Sequence, residues 1–538
     1  MPLRLRAHMR TLIECAGLVP IVFLAGLASL SAQTAVTTYH NNNYRTGWNS
    51  TETVLAPASV NSSHFGLLTT VDLDDEVDAQ PLLVPNVNIT AGQHKGLHNV
   101  VYIVTGSNTV YAIGADTGKV LLTQNLGTPV SEPLGCNNNG PNVGITSTPV
   151  IDTTSNTMFL IAYVQESAGP VYYLHALDLG SLADQVSPVV VTASHTLTNG
   201  STFVFNATYQ RQRPALLEAN GNIYAGFGSF CDYSANSSRG WLIGWNATTL
   251  EPVTANQLFD IQATDPDTFF LSSIWMSGYG LAADDSGNIL FVTGNSDYSG
   301  TTYDGVTNIQ ESTIKVSPDL TTVVDLFTPS NWSTLDENDE DFGSGGAMIL
   351  PDQSGSTPHL AVAAGKAGTM FFMNEDDLGG YSATENNVLG SYTIGPCWCG
   401  ESYFVDPSDG AGRVVSSGGD RVRVWKLTTS PTPALTLVSK SPELHTGQHG
   451  GFFTAVSSNG MASPIIWAVS RPVHQTNGDV YLYAFNPESS GEVMSTLFSA
   501  VGGYWPNING DSNLVPLVAN GKVYVASYQE LLVFGLLK

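Results

Sequence analysis

The six residues Asp336 to Asp341 read Asp-Glu-Asn-Asp-Glu-Asp and concentrate five carboxylates beside the turn Phe342-Gly-Ser-Gly-Gly346. Calcium draws about six to eight oxygen ligands from loops of this kind, which makes Asp339 and Asp341 candidate calcium ligands. The spacing is not that of an EF-hand, and a solvated acidic loop is the competing reading. Asn295 and Asp297 offer further oxygen ligands, but with one carboxylate between them. Arg211 and Arg213 flank Gln212 in a chain poor in cations. Guanidinium groups bind carboxylates in a bidentate way, so this triplet suits an anionic ligand, with salt bridges to the chain's own acids as the alternative. Trp275 offers a face for a planar ring or a sugar, unless it packs between structural units. His94 and His98, like His445 and His449, stand four apart, but neighbouring glycines argue against a helix presenting either pair to a metal. Lys366 in Gly365-Lys-Ala-Gly368 lacks the spacing and the hydroxyl residue of a phosphate loop. Neither Gly-x-Ser-x-Gly nor His-Glu-x-x-His occurs, so serine-hydrolase and zincin chemistry has no local support.

The elements that position these groups belong to a chain of 538 residues with 42% hydrophobic and only 12% charged residues. Gly (53 residues), Ser, Thr and Asn replace the missing charge, a strand- and turn-rich mixture that excludes disorder and long coiled coils. Nineteen basic against 46 acidic residues give a net charge of −27, a field that repels nucleic acid and anionic lipid. Arg4, Arg6 and Arg10 precede an apolar run from Ala16 to Leu30 and the small residues Ser31 and Ala32. This is the pattern of a secretory signal peptide over residues 1–32, and a retained anchor is its alternative. No later stretch is long and apolar enough to span a bilayer. The expected mature chain, 33–538, is exported, periplasmic or extracellular. It keeps Cys136, Cys231, Cys397 and Cys399, an even number suited to disulfides. Four cysteines allow three pairings, of which Cys136–Cys231 with a tight Cys397–Cys399 loop is the preferred one. Zinc is the weaker alternative, because Cys-Trp-Cys has no second pair at finger spacing.

One unit recurs eight times. Its first copy is Asn99-Val-Val-Tyr-Ile-Val-Thr-Gly106, then Thr109-Val-Tyr-Ala-Ile113, then the turn Ala115-Asp-Thr-Gly118. Further copies begin near Thr157, Asn222, Asn288, His359, Arg413, Pro464 and Lys522. Each is preceded by another strand, often through a dipeptide such as Asn220-Gly221 or Asn520-Gly521 that supplies the positive φ of a tight hairpin, and is followed by a more polar strand. Four antiparallel strands repeated eight times predict an all-β, eight-bladed propeller. The last unit supplies only three strands. The spare strand Phe65–Asp72 is expected to complete it and close the ring, which removes an open edge. In such a ring the loops entering the innermost strands gather at one axial mouth. They carry Asp78, Gln80, Asn142, Thr146, Arg211, Gln212, Arg213, Trp275, Ser277, Asp341, Ser344, Cys399, Glu401, His449, Asp511 and Asn513. Convergent polar groups with a few aromatics suit a small-molecule site, although any propeller needs polar residues to solvate its axis.

The run Val110-Tyr-Ala-Ile-Gly-Ala-Asp-Thr-Gly-Lys-Val120 resembles the repeat of quinoprotein propellers, the fold of pyrroloquinoline-quinone (PQQ) dependent alcohol dehydrogenases. Arg45-Thr-Gly-Trp-Asn-Ser50 and Ala58-Ser-Val-Asn61 are similar to segments of such proteins. The chain departs from that pattern twice: Leu122 replaces the tryptophan that ends the repeat, and the adjacent Cys-Cys covering the quinone is absent, with Cys397-Trp398-Cys399 the nearest substitute. The resemblance implies PQQ and calcium as cofactors, with Arg211 or Arg213 on the quinone carboxylates, Trp275 stacked on its plane, and Asp341 or Glu401 on the ion. Two functions follow as expectations. The first is an exported propeller that binds a small molecule or protein partner at its axial mouth through Arg211, Gln212, Arg213, Trp275, Glu401, His449 and Asn513. The second is a PQQ- and calcium-dependent dehydrogenase of alcohols or sugars.

Overall fold

The run Val100-Val-Tyr-Ile-Val104 is apolar at every position, where a strand with one wet face would alternate. The computed structural model supplies the reason: all five side chains are buried, because each sheet stacks against a neighbour on both faces. The structure describes residues 33–234, 237–263, 271–296, 303–444, 449–472, 478–488, 491–507 and 512–538. The expected signal peptide, Asp297, His445 and Asp511 lie outside these residues.

Eight mainly antiparallel blades form a ring. Blades 1 to 7 occupy residues 82–125, 150–190, 217–258, 282–328, 347–393, 402–440 and 453–504 in chain order. Blade 8 takes Leu517–Ala519, Lys522–Ala526 and Tyr528–Leu536 from the C-terminus, and Phe65–Glu76 from the N-terminal side as its fourth strand. That strand runs antiparallel to the last one, from Phe65 opposite Leu536 to Asp72 opposite Glu530, so the predicted closure is present. Its apolar side chains divide between the interior and solvent. Phe65, Val71 and Leu73 are buried, while Leu67 and Leu68 are nearly half exposed because they face outward from the ring. Asn220-Gly221 and Asn520-Gly521 both have positive φ at each residue, as the hairpin reading requires. Instead of one central core, seven apolar clusters sit between successive blades. Among the described residues one α-helix occurs, Trp332–Asn338, and no helix is long and apolar enough to cross a membrane.

The axis holds a feature that repeat analysis does not reveal. Residues 34–51 run through the ring and bond to every blade in turn. Val36 exchanges backbone hydrogen bonds with Leu83 of blade 1, and the carbonyl of Thr37 accepts from Ile151 of blade 2. Asn43 donates its side-chain amide to Glu218 O of blade 3 and accepts from Ala283 N of blade 4. The carbonyls of Tyr44, Thr46 and Gly47 accept from Ile349, Tyr403 and Val456 of blades 5, 6 and 7. Asn49 donates to Val518 O of blade 8. Tyr39, His40 and Arg45 are each about 99% buried or more. The end of the axis away from the mouth is therefore filled by this plug of chain, where the sequence suggested only polar residues solvating an open channel.

Candidate functional site

At the opposite end, the loops joining successive blades and the turns between second and third strands enclose a cavity of about 450 Å³. Arg211, Arg213, Trp275, Asp339, Asp341, His449 and Asn513 all line it, as does Cys231. Two of the residues expected to bind a ligand, Gln212 and Glu401, do not, nor do Asp78, Gln80, Asn142, Thr146, Ser344 and Cys399 of the entering loops. Gln212 is buried and donates its side-chain amide to Pro214 O, while its carbonyl accepts from Thr146 Oγ1. Glu401 is fully buried near the tip of the plug, where Tyr279 donates one hydrogen bond toward Arg45 O or Glu401 O at 2.8 and 3.0 Å.

One wall of the cavity is built around Lys366, which sequence reading set aside. The residue occupies the turn between Leu360–Ala364 and Thr369–Asn374 of blade 5. Its ammonium lies 2.9 Å from Asp339 and 2.9 Å from Asp341, and nearly equidistant from two indole rings, 5.5 Å from Trp275 and 5.6 Å from Trp398. Burial works to lower the Lys366 ammonium, but Asp341 and Asp339 outweigh it and hold it above the usual lysine range. Trp398 stacks on His449 with ring centroids 4.4 Å apart and planes 13° from parallel. Gly294 allows the close approach here: a Cβ at that position would stand 3.1 Å from Trp275 Nε1 and 3.5 Å from Asp341 Cγ.

The acidic segment divides between solvent and the interior. Asp336 sits on the last turn of the helix, and Asp339 caps that helix with a left-handed φ of 55°. Asp336 and Asp341 are buried, while Glu337, Asp339 and Glu340 are exposed. Asp341 Oδ2 pairs with Lys366, while Oδ1 is buried without a hydrogen-bond partner. Asp232, from the second-to-third strand turn of blade 3, acts electrostatically on Asp341 and accepts from Asn295 Nδ2 at 3.3 Å. Burial pushes Asp341 up to about 6, with Lys366 pulling the other way and Asp339 and Asp232 adding to the rise. Burial likewise raises Asp336 and Glu401 to about 8. Glu311, Glu76 and Asp78 are raised for the same primary reason.

These values set a pH dependence. A buried acid with a raised native value keeps its proton after the unfolded chain has lost it. From about pH 4 to about pH 8 the native state therefore holds more protons, and stability falls as pH rises through that window. Calorimetry should show a melting temperature several degrees higher near about pH 5.5 than near about pH 8.5. An equal or higher value at the alkaline end would contradict the burial of these carboxyls.

The opposite wall carries the two arginines. Arg211 donates to Asn139 and lies 6.0 Å from the Phe230 ring centroid. Arg213 donates to Thr146 O at 3.0 Å and stands 3.5 Å from the buried carboxylate of Asp78, which also accepts from Asn139. Both expected disulfides are present, Cys136–Cys231 and Cys397–Cys399. Their roles differ from expectation. Cys397 and Cys399 are fully buried and only Trp398 between them reaches the cavity, whereas Cys136–Cys231 joins the two loops that supply Asn137, Asn138, Asn139, Ser229 and Asp232 to its wall.

No protein-family model and no curated protein matches the sequence. Solved structures match it by shape. The quinohemoprotein alcohol dehydrogenase of Comamonas testosteroni gives a TM-score of 0.61 at 13% identity, covering 94% of this chain and 81% of that one. The quinohemoprotein alcohol dehydrogenase ADHIIG of Pseudomonas putida HK5 gives 0.62 at 12% identity, covering 93% and 80%. A europium-containing methanol dehydrogenase gives 0.59 at 11% identity, covering 93% and 98%. The fold is quinoprotein-like. At such low identity the likeness concerns the fold alone, and function rests on the residues at the mouth.

Sequence reading missed Lys366, Trp398, Asp232 and the Asn137–Asn139 run as parts of this mouth. Lys366 and Asp232 lie in turns between second and third strands, which open on the same face as the loops entering innermost strands, whereas Trp398 and Asn137–Asn139 lie in those entering loops themselves. Gly365-Lys-Ala-Gly368 and Gly228-Ser-Phe-Cys-Asp232 both occupy such turns, and that position was the available signal.

Proposed function

We propose that the mouth cavity binds a quinone cofactor with a metal cation, and that the protein is an exported dehydrogenase of alcohols or sugars. The observation that carries this reading is the convergence, in one cavity, of two indole planes, three cationic side chains and a buried carboxylate oxygen without a partner. PQQ is planar and carries three carboxylates. Its fit is supported by Trp275 and Trp398 as flat surfaces and by Arg211, Arg213 and Lys366 as counter-charges. Asp341 Oδ1, with Asp232 and Asn295 behind it, is the oxygen-donor set suited to calcium or a related hard cation. The three solved structures reported above, each named an alcohol or methanol dehydrogenase and one of them europium-containing, favour the same reading.

When bound, the quinone supplies a two-electron acceptor. The chain's own residues would do the rest. Lys366 holds Asp339 and Asp341 in place, and the exposed Asp339 is the carboxylate placed to take a substrate hydroxyl proton as general base. The filled axis leaves the mouth as the route of access. Two disulfides suit an oxidising compartment, in keeping with export directed by residues 1–32.

One observation favours the alternative, a propeller that binds a ligand or partner without chemistry: Arg213 is already engaged by Thr146 and Asp78. Titrating the full mature chain with PQQ, in calcium and separately in europium, separates the two. The expected result is stoichiometric bound chromophore and dye reduction with alcohols or sugars, with affinity at least about tenfold weaker in Asp341→Asn and Arg213→Ala. Absence of both binding and dye reduction with either ion would overturn the proposal and leave the binding propeller.

A further inference from the structure

On the plug side of the ring, away from the mouth, blades 4 and 5 enclose a second cavity of about 130 Å³. Its chemistry comes from strand ends of blade 5. His359 precedes the strand Leu360–Ala364, Glu375 and Asp376 follow Thr369–Asn374, and Asp352 follows Ala347–Ile349. His359 Nδ1 lies 2.9 Å from each oxygen of Asp376, and its Nε2 lies 3.8 Å from Asp352 Oδ1. Ligand atoms of His359, Glu375 and Asp376 all fall within 4.8 Å of one another. Adjacent ligands on a metal with bonds near about 2.1 Å are roughly 3.0–3.4 Å apart, so part of this set already stands at coordination spacing. Blade 4 contributes Asp284 and Asp285 to the same cavity, and among the described residues Lys315 is the only lysine or arginine lining it. The Lys315 ammonium contacts Glu375 and lies 3.7 Å from Asp284. Five carboxylates against one ammonium leave a strong local excess of negative charge around an imidazole. Glu375, only 5% exposed, anchors the inner side of the cavity.

We propose that this cavity binds one divalent transition-metal ion through His359, Asp376 and Glu375. The imidazole favours zinc, cobalt or nickel over calcium and magnesium, which sets this site apart from the cation proposed at the mouth. The site adjoins the plug. Tyr44 lines the same cavity, donates to Asp285, and accepts from Ile349 N of blade 5 at 3.0 Å.

Cobalt(II) titrated into the chelator-treated full chain, followed by visible absorption and calorimetry, tests the assignment. One equivalent should bind, with affinity at least about tenfold weaker in His359→Ala and in Asp376→Asn and unchanged in Asp341→Asn at the mouth. Zinc should raise the melting temperature of the unsubstituted protein but not of His359→Ala. His359 is only partly buried, so the metal-free variant should melt close to the parent and any lost binding reflects the site. Cobalt binding that is undiminished in His359→Ala, or absent from the unsubstituted protein, would overturn the proposal.

Discussion

A chain that begins after Asp72 is expected not to form a closed, cooperatively melting ring. The truncation removes the plug and most of the fourth strand of blade 8, including the buried Val36, Tyr39, Leu55, Val60, Phe65 and Val71. Burying such side chains contributes roughly 1.5–3 kcal/mol each, so together they approach the whole of a typical stability of about 5–15 kcal/mol. The loss also uncovers Tyr528–Leu536 as an unpaired edge, which invites association between chains. Calorimetry and light scattering should show either no unfolding transition or one displaced far downward with aggregation. A second truncation, removing only residues 33–51, keeps the closing strand and should melt at an intermediate temperature. If the longer truncation melts with a chain of residues 33–538, neither plug nor closure contributes what the structure implies.

Replacing Arg45 by leucine is expected to destabilise the protein by about 3–5 kcal/mol or more. Arg45 is fully buried in the plug. Its Nε donates to Leu281 O at 2.7 Å, Nη1 donates to Thr38 Oγ1 and Tyr39 O, and Nη2 donates to Leu216 O at 3.1 Å. One planar group thus joins the plug to blades 3 and 4, and burial lowers its proton affinity to about 10, still charged at neutral pH. Leucine would leave those carbonyls buried and unpaired. Arg45→Lys should rescue little, because a single ammonium cannot reach donors' partners on both sides of the plug. The site depends on Gly280 as well: a Cβ there would stand 2.6 Å from Arg45 Nε, so Gly280→Ala should lower stability in the same direction. Urea midpoints of the three variants check this, and a parental midpoint for Arg45→Leu would show that the guanidinium network is dispensable.

Much of the ring was legible without coordinates. Period and turn chemistry are local properties, so Asn220-Gly221 and the doubly buried run Val100–Val104 announce hairpins and stacked blades from sequence alone. The three-strand final unit and the spare strand at Phe65 likewise determined the closure, because an unpaired edge is costly wherever it occurs. Cysteine number and the arginine pair were also readable, and both disulfides formed as preferred. What the tertiary structure alone decided is how distant loops meet. Lys366 gains its meaning from Asp339, Asp341, Trp275 and Trp398, which come from three separate inter-blade loops and share no local pattern with it. Glu401 and Gln212 looked like mouth residues by position, yet a shift of a residue or two along an inner strand is enough to turn a side chain from the cavity into the packed axis. The plug is the extreme case. Residues 34–51 carry no repeat and little regular structure, and their order exists only because eight inner strands each leave one backbone or side-chain partner for them around a single axis.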